Sequence, residues 1–261
     1  MQSPTQIPIA EGPTAETPVS NYDRPEVVEQ FSRSVELFDC ERYAFDKYIP
    51  RGKRILDLGV GAGRTTVRLT EGAAAYVGID YAPNMIAACR KRFPQYQFQV
   101  DDAAALATVA DASFDVVVFS FNGIDYLSPD SARLSCLQHC RRVLVGGGLL
   151  IFSAHNARGI FVRPRLRGAP LWKKGWRLLR APVKSATLIW RIAFSRAFLQ
   201  GHGYIWEPDA GGCVQHMTTR QHMMAELAAA GFRVLETVPH DHPVPTGSLT
   251  TPWYYYVAQK S

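Results

Sequence analysis

Short apolar runs alternate with segments of helical periodicity along most of this chain. The apolar runs are typical of strands buried on both faces of a parallel sheet. They are predicted at 54–58, 75–79, 95–100, 114–119 and 148–153. Segments with the apolar spacing of a helix lie between them, at about 64–71, 83–93 and 130–144. This alternation predicts an α/β fold with a doubly wound, mostly parallel sheet.

The two ends of the chain differ from this alternating part. Residues 1–20 are rich in Pro, Thr and Ser without a hydrophobic period, and we expect a flexible tail there. Helical spacing begins at Pro25 and predicts N-terminal helices before the first strand. Towards the end, one helix and two closing strands are predicted at 220–230, 232–238 and 253–258. One domain over residues 21–261, with seven strands in its sheet, is therefore expected.

Composition excludes several classes of protein. Apolar residues make up 47% of the chain, which excludes a chain disordered throughout. No run of 18 uncharged apolar residues occurs, and residues 1–20 lack the basic start and apolar core of a signal peptide. The five cysteines are scattered and form no CxxC pair. We therefore expect a cytoplasmic protein with reduced cysteines.

The positive charge is concentrated in one segment. The chain has 29 basic and 23 acidic residues, and eleven of the basic ones lie between Arg158 and Gln200, where no acidic residue occurs. The other parts of the chain are mildly acidic. The sequence thus predicts an acidic body that carries one strongly basic segment.

A glycine-rich turn follows the first strand and reads Asp57-Leu58-Gly59-Val60-Gly61-Ala62-Gly63. Glycines let the backbone pass close to a ligand, and the following helix start offers free N–H donors. The dinucleotide pattern G-x-G-x-x-G fails from either of the first two glycines, because Arg64 and Thr66 occupy the sixth position. No G-K-[ST] follows, so a P-loop is excluded as well.

With the spacing D-x-G-x-G-x-G, this turn resembles motif I of the class I S-adenosylmethionine-dependent methyltransferases. Four later stretches resemble further motifs of that family in order and distance: Tyr76–Asp80, Val100–Leu106, Phe114–Ser120 and Arg141–Ile151. The resemblance covers about residues 50–155. It implies a Rossmann-like methyltransferase fold, S-adenosyl-L-methionine as the cofactor, S-adenosyl-L-homocysteine as the product, and no metal.

The resemblance also implies positions for the adenosine half of the cofactor. Asp80, at the end of the second strand, is expected to accept both ribose hydroxyls. Further adenosine contacts are expected from Tyr81, Met85, Asp102 and Ala103. Asp101 is the alternative to Asp102, one residue away.

At the methionine end, Asp57 is expected to orient the cofactor through the glycine loop. Arg64 and Tyr22 are candidates for holding the cofactor carboxylate, with a solvated arginine and a packing tyrosine as the alternatives. The remaining contacts near the sulfonium are expected from Gly59, Gly61, Gly63, Phe119 and Ser120.

Candidate catalytic residues follow the fourth and fifth strands. Methyl transfer is an in-line displacement, so the protein mainly aligns the reactants and accepts a proton where the acceptor requires it. Ligands of open α/β sheets bind at the carboxyl ends of the strands. His155 is the first candidate for a base, with a strand-capping role as the alternative, while Asn122 and Asp125 are secondary candidates. His216 is a weaker one.

The basic insertion, residues 158–200, is predicted to be helical, with an apolar face formed by Trp172, Trp176, Leu179 and Val183. The favoured interpretation is a lid whose apolar face packs on the sheet edge or roofs the acceptor pocket. In that case the charge predicts an anionic acceptor. A helix lying on a membrane surface and an RNA-binding segment are the alternatives.

Together these features predict a transferase that moves a methyl group to an oxygen or nitrogen of a small molecule, such as a specialised metabolite. Neither [DNS]-P-P-[YFW] nor Pro-Cys follows the fourth strand, which argues against a DNA substrate. An RNA methyltransferase and a catalytically silent cofactor-binding scaffold remain as alternatives.

Overall fold

The computed structural model of the chain describes residues 21–161, 170–195, 197–207 and 213–261. The predicted tail lies outside these residues, as does part of the basic segment. The strands of the described part are β1 Arg54–Leu58, β2 Ala75–Asp80, β3 Gln97–Val100, β4 Phe114–Phe119, β5 Leu144–His155, β6 His202–Glu207, β7 Cys213–Thr218, β8 Phe232–Pro239 and β9 Trp253–Lys260. Its α-helices are α1 Pro25–Arg33, α2 Asp39–Tyr48, α3 Thr66–Thr70, α4 Pro83–Arg92, α5 Asp130–Val143, α6 Leu171–Ser195, α7 Ala197–Gln200 and α8 Arg220–Ala229.

Seven of these strands form one sheet in the order β3-β2-β1-β4-β5-β9-β8. The first five are parallel, and β9 runs antiparallel to both β5 and β8. The strand order reverses at β1, because the chain builds β2 and β3 on one side and then crosses to β4 on the other. Such a switch point is where open α/β sheets bind ligands. The predicted doubly wound, mostly parallel seven-stranded sheet with N-terminal helices is confirmed.

The central strands are buried because helices cover both faces of the sheet. Adjacent residues of β1 point to opposite faces: Ile55 packs in one apolar cluster with Phe45 of α2, and Leu56 packs in another with Leu137 of α5. The continuous apolar runs in the sequence reflect this burial on two sides. The core thereby fixes the carboxyl ends of β1 to β4, where the chain's glycine turn lies.

Several elements differ in extent from the predicted ones. Helix α3 begins at Thr66 rather than near residue 64, since the glycine turn continues that far. Strand β5 is twelve residues long because it pairs with β4 on one edge and β9 on the other. Strand β6 was not predicted, and it pairs with β7 in a separate antiparallel sheet.

Helix α6 carries the predicted apolar face of the basic segment, but that face is exposed. The exposed fractions of Trp172, Trp176, Leu179 and Val183 are 71%, 59%, 74% and 65%. The expected packing of this face on the sheet edge is therefore not seen. A different face of α6 contacts the body, through Leu188. Within the described residues, no helix is both long enough and apolar enough to cross a bilayer.

Candidate functional site

A cavity of about 620 Å³ opens at the carboxyl ends of β1 to β4. This volume lies within the range of small-molecule sites, roughly 300–1,000 Å³. Twelve of the fourteen predicted cofactor residues line it: Tyr22, Gly59, Gly61, Arg64, Asp80, Tyr81, Met85, Asp101, Asp102, Ala103, Phe119 and Ser120. Asp57 and Gly63 are not among the residues that line it. Residues predicted from separate motifs therefore line one cavity.

Gly59 and Gly61 have different roles in the turn. Gly59 has φ +60°, and a Cβ there would lie 2.7 Å from Cε2 of Phe119, so close packing under the turn requires a glycine. Gly61 has φ +53°, but a Cβ there would meet only Cδ1 of Phe31, at 3.5 Å. Gly61 therefore presents open space to the cavity, where a ligand can approach the backbone.

Asp80 is a buried carboxylate at the end of β2. Its Oδ1 accepts the Ala82 N–H at 3.0 Å, and its Oδ2 accepts the Gly61 N–H at 2.8 Å. Burial raises the pKa of Asp80, and these two hydrogen bonds oppose that rise. Because each carboxylate oxygen can accept two hydrogen bonds, the geometry leaves capacity for the predicted ribose hydroxyls.

Asp57 supports the turn from behind. Its Oδ2 accepts hydrogen bonds from Thr65 Oγ1 at 2.6 Å and from Tyr76 Oη at 2.8 Å. Burial raises the pKa of Asp57 to about 7, although both hydrogen bonds act in the opposite direction. The side chain joins β1, β2 and the residues before α3, and so holds the glycine turn in place.

Asp101 and Asp102 differ in how their carboxylates are engaged. Asp101 is buried and accepts hydrogen bonds from Asp102 N, Thr108 N and Thr108 Oγ1 at 2.8, 3.0 and 2.6 Å. Asp102 is exposed, and its Oδ1 accepts the Ala104 N–H at 2.8 Å. The preference for Asp102 over Asp101 as an adenine contact stays a prediction. The fixed position of Asp101 in its own loop supports it.

Arg64 makes an ion pair that sequence reasoning missed. Its Nη1 and Nη2 donate to Oε2 and Oε1 of Glu41 at 2.6 and 2.7 Å. Glu41 is fully buried and also accepts the hydroxyl of Tyr255 at 2.7 Å. A charged residue on the apolar face of α2, beside Cys40 and Ala44, was the available signal. Any contact of Arg64 with a cofactor carboxylate would have to be shared with Glu41.

Tyr22 also lines the cavity. Its ring packs edge-on against Phe31 and Tyr126, with centroid distances of 5.9 and 5.6 Å. These two aromatic residues also line the cavity and were not predicted. The packing alternative and the cofactor contact are compatible, because the same ring does both.

The three predicted catalytic residues lie in contact with one another. His155 Nδ1 is 2.8 Å from Oδ2 of Asp125, which also accepts the His155 backbone N–H at 2.6 Å. The Asn122 amide Nδ2 is 3.1 Å from His155 Nε2. With that amide donating, the ring proton lies on Nδ1 and Nε2 is the acceptor. Asp125 thus orients His155 in a tautomer whose basic nitrogen faces Asn122.

Asp125 lies between two histidines. Its other oxygen, Oδ1, is 3.6 Å from Nδ1 of His216, and both of these side chains are fully buried. Burial pushes the pKa of Asp125 upwards, but the neighbouring His155 and His216 rings together outweigh it, so the pKa lies below its usual value. Gln215, which was not predicted, also contacts His155 Nδ1 through its side-chain amide. A protonated Nδ1 requires the oxygen of that amide, rather than its nitrogen, to face the ring.

An aromatic path connects this group to the cavity, although His155, Asn122 and Asp125 do not themselves line it. Phe121 lines the cavity and stacks on Phe38 at a centroid distance of 5.8 Å. Phe38 packs against Trp253 at 5.6 Å, and Trp253 against His155 at 6.1 Å. The cavity wall nearest His155 is therefore aromatic.

One group within the described residues has donor atoms close enough to hold a metal ion. Asp130, His202 and His216 each offer an atom within 4.8 Å of the others. Asp130 also accepts a hydrogen bond from Arg133 at 3.1 Å, and that fixed positive charge disfavours a second cation. The expected absence of a metal stays a prediction.

Comparisons with known proteins place part of the chain in a known family of domains. Residues 55–148 match the family model described as a methyltransferase domain. A demethylmenaquinone methyltransferase from Beutenbergia cavernae is 37% identical over 100 residues, which are 38% of this chain and 40% of the relative. A ubiquinone biosynthesis O-methyltransferase from Paracidovorax citrulli is 32% identical over 111 residues, 41% of this chain and 45% of the relative. The chain thus spans less than half the length of the curated relatives it matches.

Solved structures show the fold over a larger part of the chain. An S-adenosylmethionine-dependent methyltransferase from Mesorhizobium loti superposes with a TM-score of 0.60 at 20% identity. The match covers 85% of this chain and 98% of that protein. The match to the family model, by contrast, covers residues 55–148, which include the glycine turn and most of the residues that line the cavity.

Proposed function

We propose that this chain, whose residues 55–148 match the model of a methyltransferase domain, is a class I S-adenosylmethionine-dependent methyltransferase that moves a methyl group from that cofactor to an oxygen or nitrogen of a small molecule. The observation that carries the proposal is that twelve residues predicted from separate motifs line one cavity at the switch point of the sheet.

The residues of the cavity fit this cofactor. Gly61 leaves space along the turn, and the Asp80 carboxylate stands at the end of β2 with acceptor capacity for ribose hydroxyls. Met85 and Tyr81 supply an apolar and an aromatic surface beside it. When bound, S-adenosylmethionine supplies a methyl group that is already activated by its sulfonium.

The protein's own contribution is alignment and proton removal. The acceptor atom forms a bond to the methyl carbon as the carbon–sulfur bond breaks, and its proton passes to a base. We assign that base to His155 Nε2. Because His155 does not line the cavity, this role requires the acceptor to reach past the aromatic wall formed by Phe121. Asp125 holds the ring tautomer and would stabilise the imidazolium that forms, since its carboxylate is 2.8 Å from Nδ1. Asn122 would have to release Nε2 when the acceptor binds.

The cavity lining supports an aromatic or apolar acceptor more than an anionic one. Phe121, Tyr126 and Leu127 form the wall beyond the expected cofactor position. Among the described lining residues, Arg64 is the basic one, and Glu41 neutralises it. The name of the ubiquinone-biosynthesis relative, an O-methyltransferase, agrees with an acceptor oxygen.

Calorimetry with S-adenosylhomocysteine tests the first half of the proposal, and we expect micromolar or tighter binding by the wild-type chain. Absence of binding would overturn the cofactor assignment. Transfer of labelled methyl to a panel of catechols, quinols and N-heterocycles tests the second half. Binding without transfer to any acceptor would favour the silent scaffold.

Substitution of the base tests the mechanism. His155→Asn should lower kcat about 10²-fold or more while S-adenosylhomocysteine binds as before, because His155 lies outside the cavity lining. His139→Asn, a change at a half-buried residue of α5 that does not line the cavity, is the matched control and should leave kcat and the binding of S-adenosylhomocysteine unchanged. An unaltered kcat in His155→Asn would contradict the assignment.

A further inference from the structure

The exposed apolar face of α6 is a continuous stripe. It consists of Trp172, Trp176, Leu179, Val183 and Trp190, whose exposed fractions run from 59% to 74%. At 3.6 residues per turn these five side chains fall within an arc of about 60° around the helix. We call this arc the tryptophan stripe. Monomeric proteins rarely leave such a patch uncovered, so it indicates an interaction surface.

The tryptophan stripe points away from the protein body. The half-buried residues of α6 are Lys174, Ala181, Ser185 and Leu188, and their directions cluster about 180° from the stripe. Leu188 packs on a small cluster that contains Ile205 of β6 and Met217 of β7. The helix is therefore attached by one side and presents the opposite side outwards.

A row of basic side chains flanks the stripe on one side. Lys173, Arg177, Arg180 and Lys184 are exposed and occupy the adjacent arc of about 60°. Two of them lie over tryptophan rings: Lys173 Nζ is 5.1 Å from the Trp172 centroid, and Arg180 Cζ is 5.5 Å from that of Trp176. No acidic residue occurs between positions 158 and 200 to offset this charge.

We propose that α6 is an interfacial helix that docks the protein on an anionic lipid bilayer. The stripe would insert at the boundary between headgroups and acyl chains, where tryptophan is favoured, and the basic row would contact anionic headgroups beside it. The long basic side chains beside the rings can reach upwards to the headgroups while their stems remain on the apolar side.

Two other occupants fit the surface less well. A second copy of this chain would bring two basic rows together, and their repulsion would oppose the contact. RNA would be drawn to the basic row, but that leaves an aliphatic part of the stripe, Leu179 and Val183, in water. A bilayer is the partner that satisfies both the apolar and the cationic parts.

The test is flotation of the full chain with vesicles of pure phosphatidylcholine and with vesicles that contain phosphatidylglycerol. We expect the protein to float with the anionic vesicles, to bind pure phosphatidylcholine at least about tenfold more weakly, and to be released by salt. Substitution of all three stripe tryptophans by serine should weaken binding about tenfold or more. Neutralising the basic row to glutamine should remove the preference for anionic lipid.

A single tryptophan variant gives the matched control. Trp206 is 58% exposed, close to the 59% of Trp176, but it lies on β6 next to Ile205 and so on the strand face opposite to α6. Trp206→Ser should keep vesicle binding, while Trp176→Ser reduces it. Thermal unfolding followed by circular dichroism verifies that each variant is folded.

Three outcomes would overturn the proposal. The first is that wild-type protein does not float with anionic vesicles. The second is that the stripe variants float as well as the wild type. The third is that the stripe variants convert a dimer to a monomer, or abolish retention of bulk tRNA, without changing vesicle binding. None of these measurements depends on methyl transfer, so the inference can fail while the proposed function stands, and the reverse.

Discussion

The side chains around the cavity and those on helix α6 differ in how far they contact the rest of the protein. Around the cavity, each notable side chain of the turn has a partner within the fold: Asp57 with Thr65 and Tyr76, and Asp80 with Gly61. On α6, the side chains of the tryptophan stripe do not pack against the sheet, as the 71% exposure of Trp172 indicates. The side chains around the cavity are thus held by contacts within the protein. The apolar face of α6 is exposed and, in our proposal, contacts a lipid bilayer.

This difference shows what a periodic pattern predicts. The spacing of Trp172, Trp176 and Leu179 predicts a helix with one apolar face, and α6 is that helix. The same spacing does not show whether the apolar face contacts the protein core, a ligand pocket or a lipid bilayer. A core, a lid and a bilayer all select the same period, so only the position of the half-buried residues separates them.

The largest effect on cofactor binding is expected when a side chain fills the open space at the glycine turn. Gly61→Val should reduce binding of S-adenosylhomocysteine by at least about 10³-fold, ~4 kcal/mol, because a branched side chain at φ +53° would occupy the open space at the turn. Calorimetry measures the loss.

Gly52→Val is the control for backbone strain. Gly52 has φ +78° and nothing within 4 Å of an added Cβ, and it does not line the cavity. This variant should be less stable but should bind with unchanged affinity. If Gly61→Val binds as the wild type does, the assignment of the turn to the cofactor is wrong.

The next largest effect is expected at the ion pair that closes the cavity towards α2. Arg64→Ala leaves the Glu41 carboxylate buried without a cation, so the free energy of unfolding should fall by about 3–5 kcal/mol. Urea denaturation monitored by circular dichroism gives this value.

A neighbouring arginine provides the comparison. Arg68 pairs with Asp46, whose side chain is 55% exposed, and Arg68→Ala should cost no more than about 1 kcal/mol. Should Arg64→Ala keep its stability and lose only cofactor affinity, the arginine would serve the cofactor carboxylate rather than the fold.

A smaller effect is expected at the end of β2. Asp80→Ala should weaken binding of S-adenosylhomocysteine by about 1.5–3 kcal/mol, the range for hydrogen bonds to a charged group. Asp115→Ala removes a carboxylate from β4 that pairs with Arg54 away from the cavity, and it should leave the affinity unchanged. Equal affinity in both variants would mean that the ribose is held elsewhere.

How much could be predicted from the sequence depends on how far apart in the chain the interacting residues lie. The glycine turn and Asp80 are local features of a strand and the loop after it, and their positions were predicted residue by residue. The contact of His155 with Asp125 joins two loops 30 residues apart, and the rule that strand ends share one edge was enough to bring them together.

Contacts without such a rule were missed. The Arg64–Glu41 pair joins α2 to the glycine turn, and nothing in either segment identifies the other. Strand β6 was missed because it pairs only with β7 and lies outside the main sheet. The stacking of Phe38 on Phe121 likewise depends on how α1 and α2 cross the end of the sheet.

The smallest expected effect separates the two sides of α6. Leu179 belongs to the tryptophan stripe and is 74% exposed, whereas Leu188, nine residues further along, packs on the cluster of Ile205 and Met217. Leu179→Ser should change the free energy of unfolding by no more than about 0.5 kcal/mol, since it removes no contact with the body. Leu188→Ser should cost about 1–3 kcal/mol, because it places a hydroxyl in an apolar contact. Both variants keep the length and charge of the helix, so denaturation in the absence of lipid compares only the two faces. A large loss of stability in Leu179→Ser would mean that the stripe packs within the protein, and the outward-facing side assigned to α6 would then be wrong.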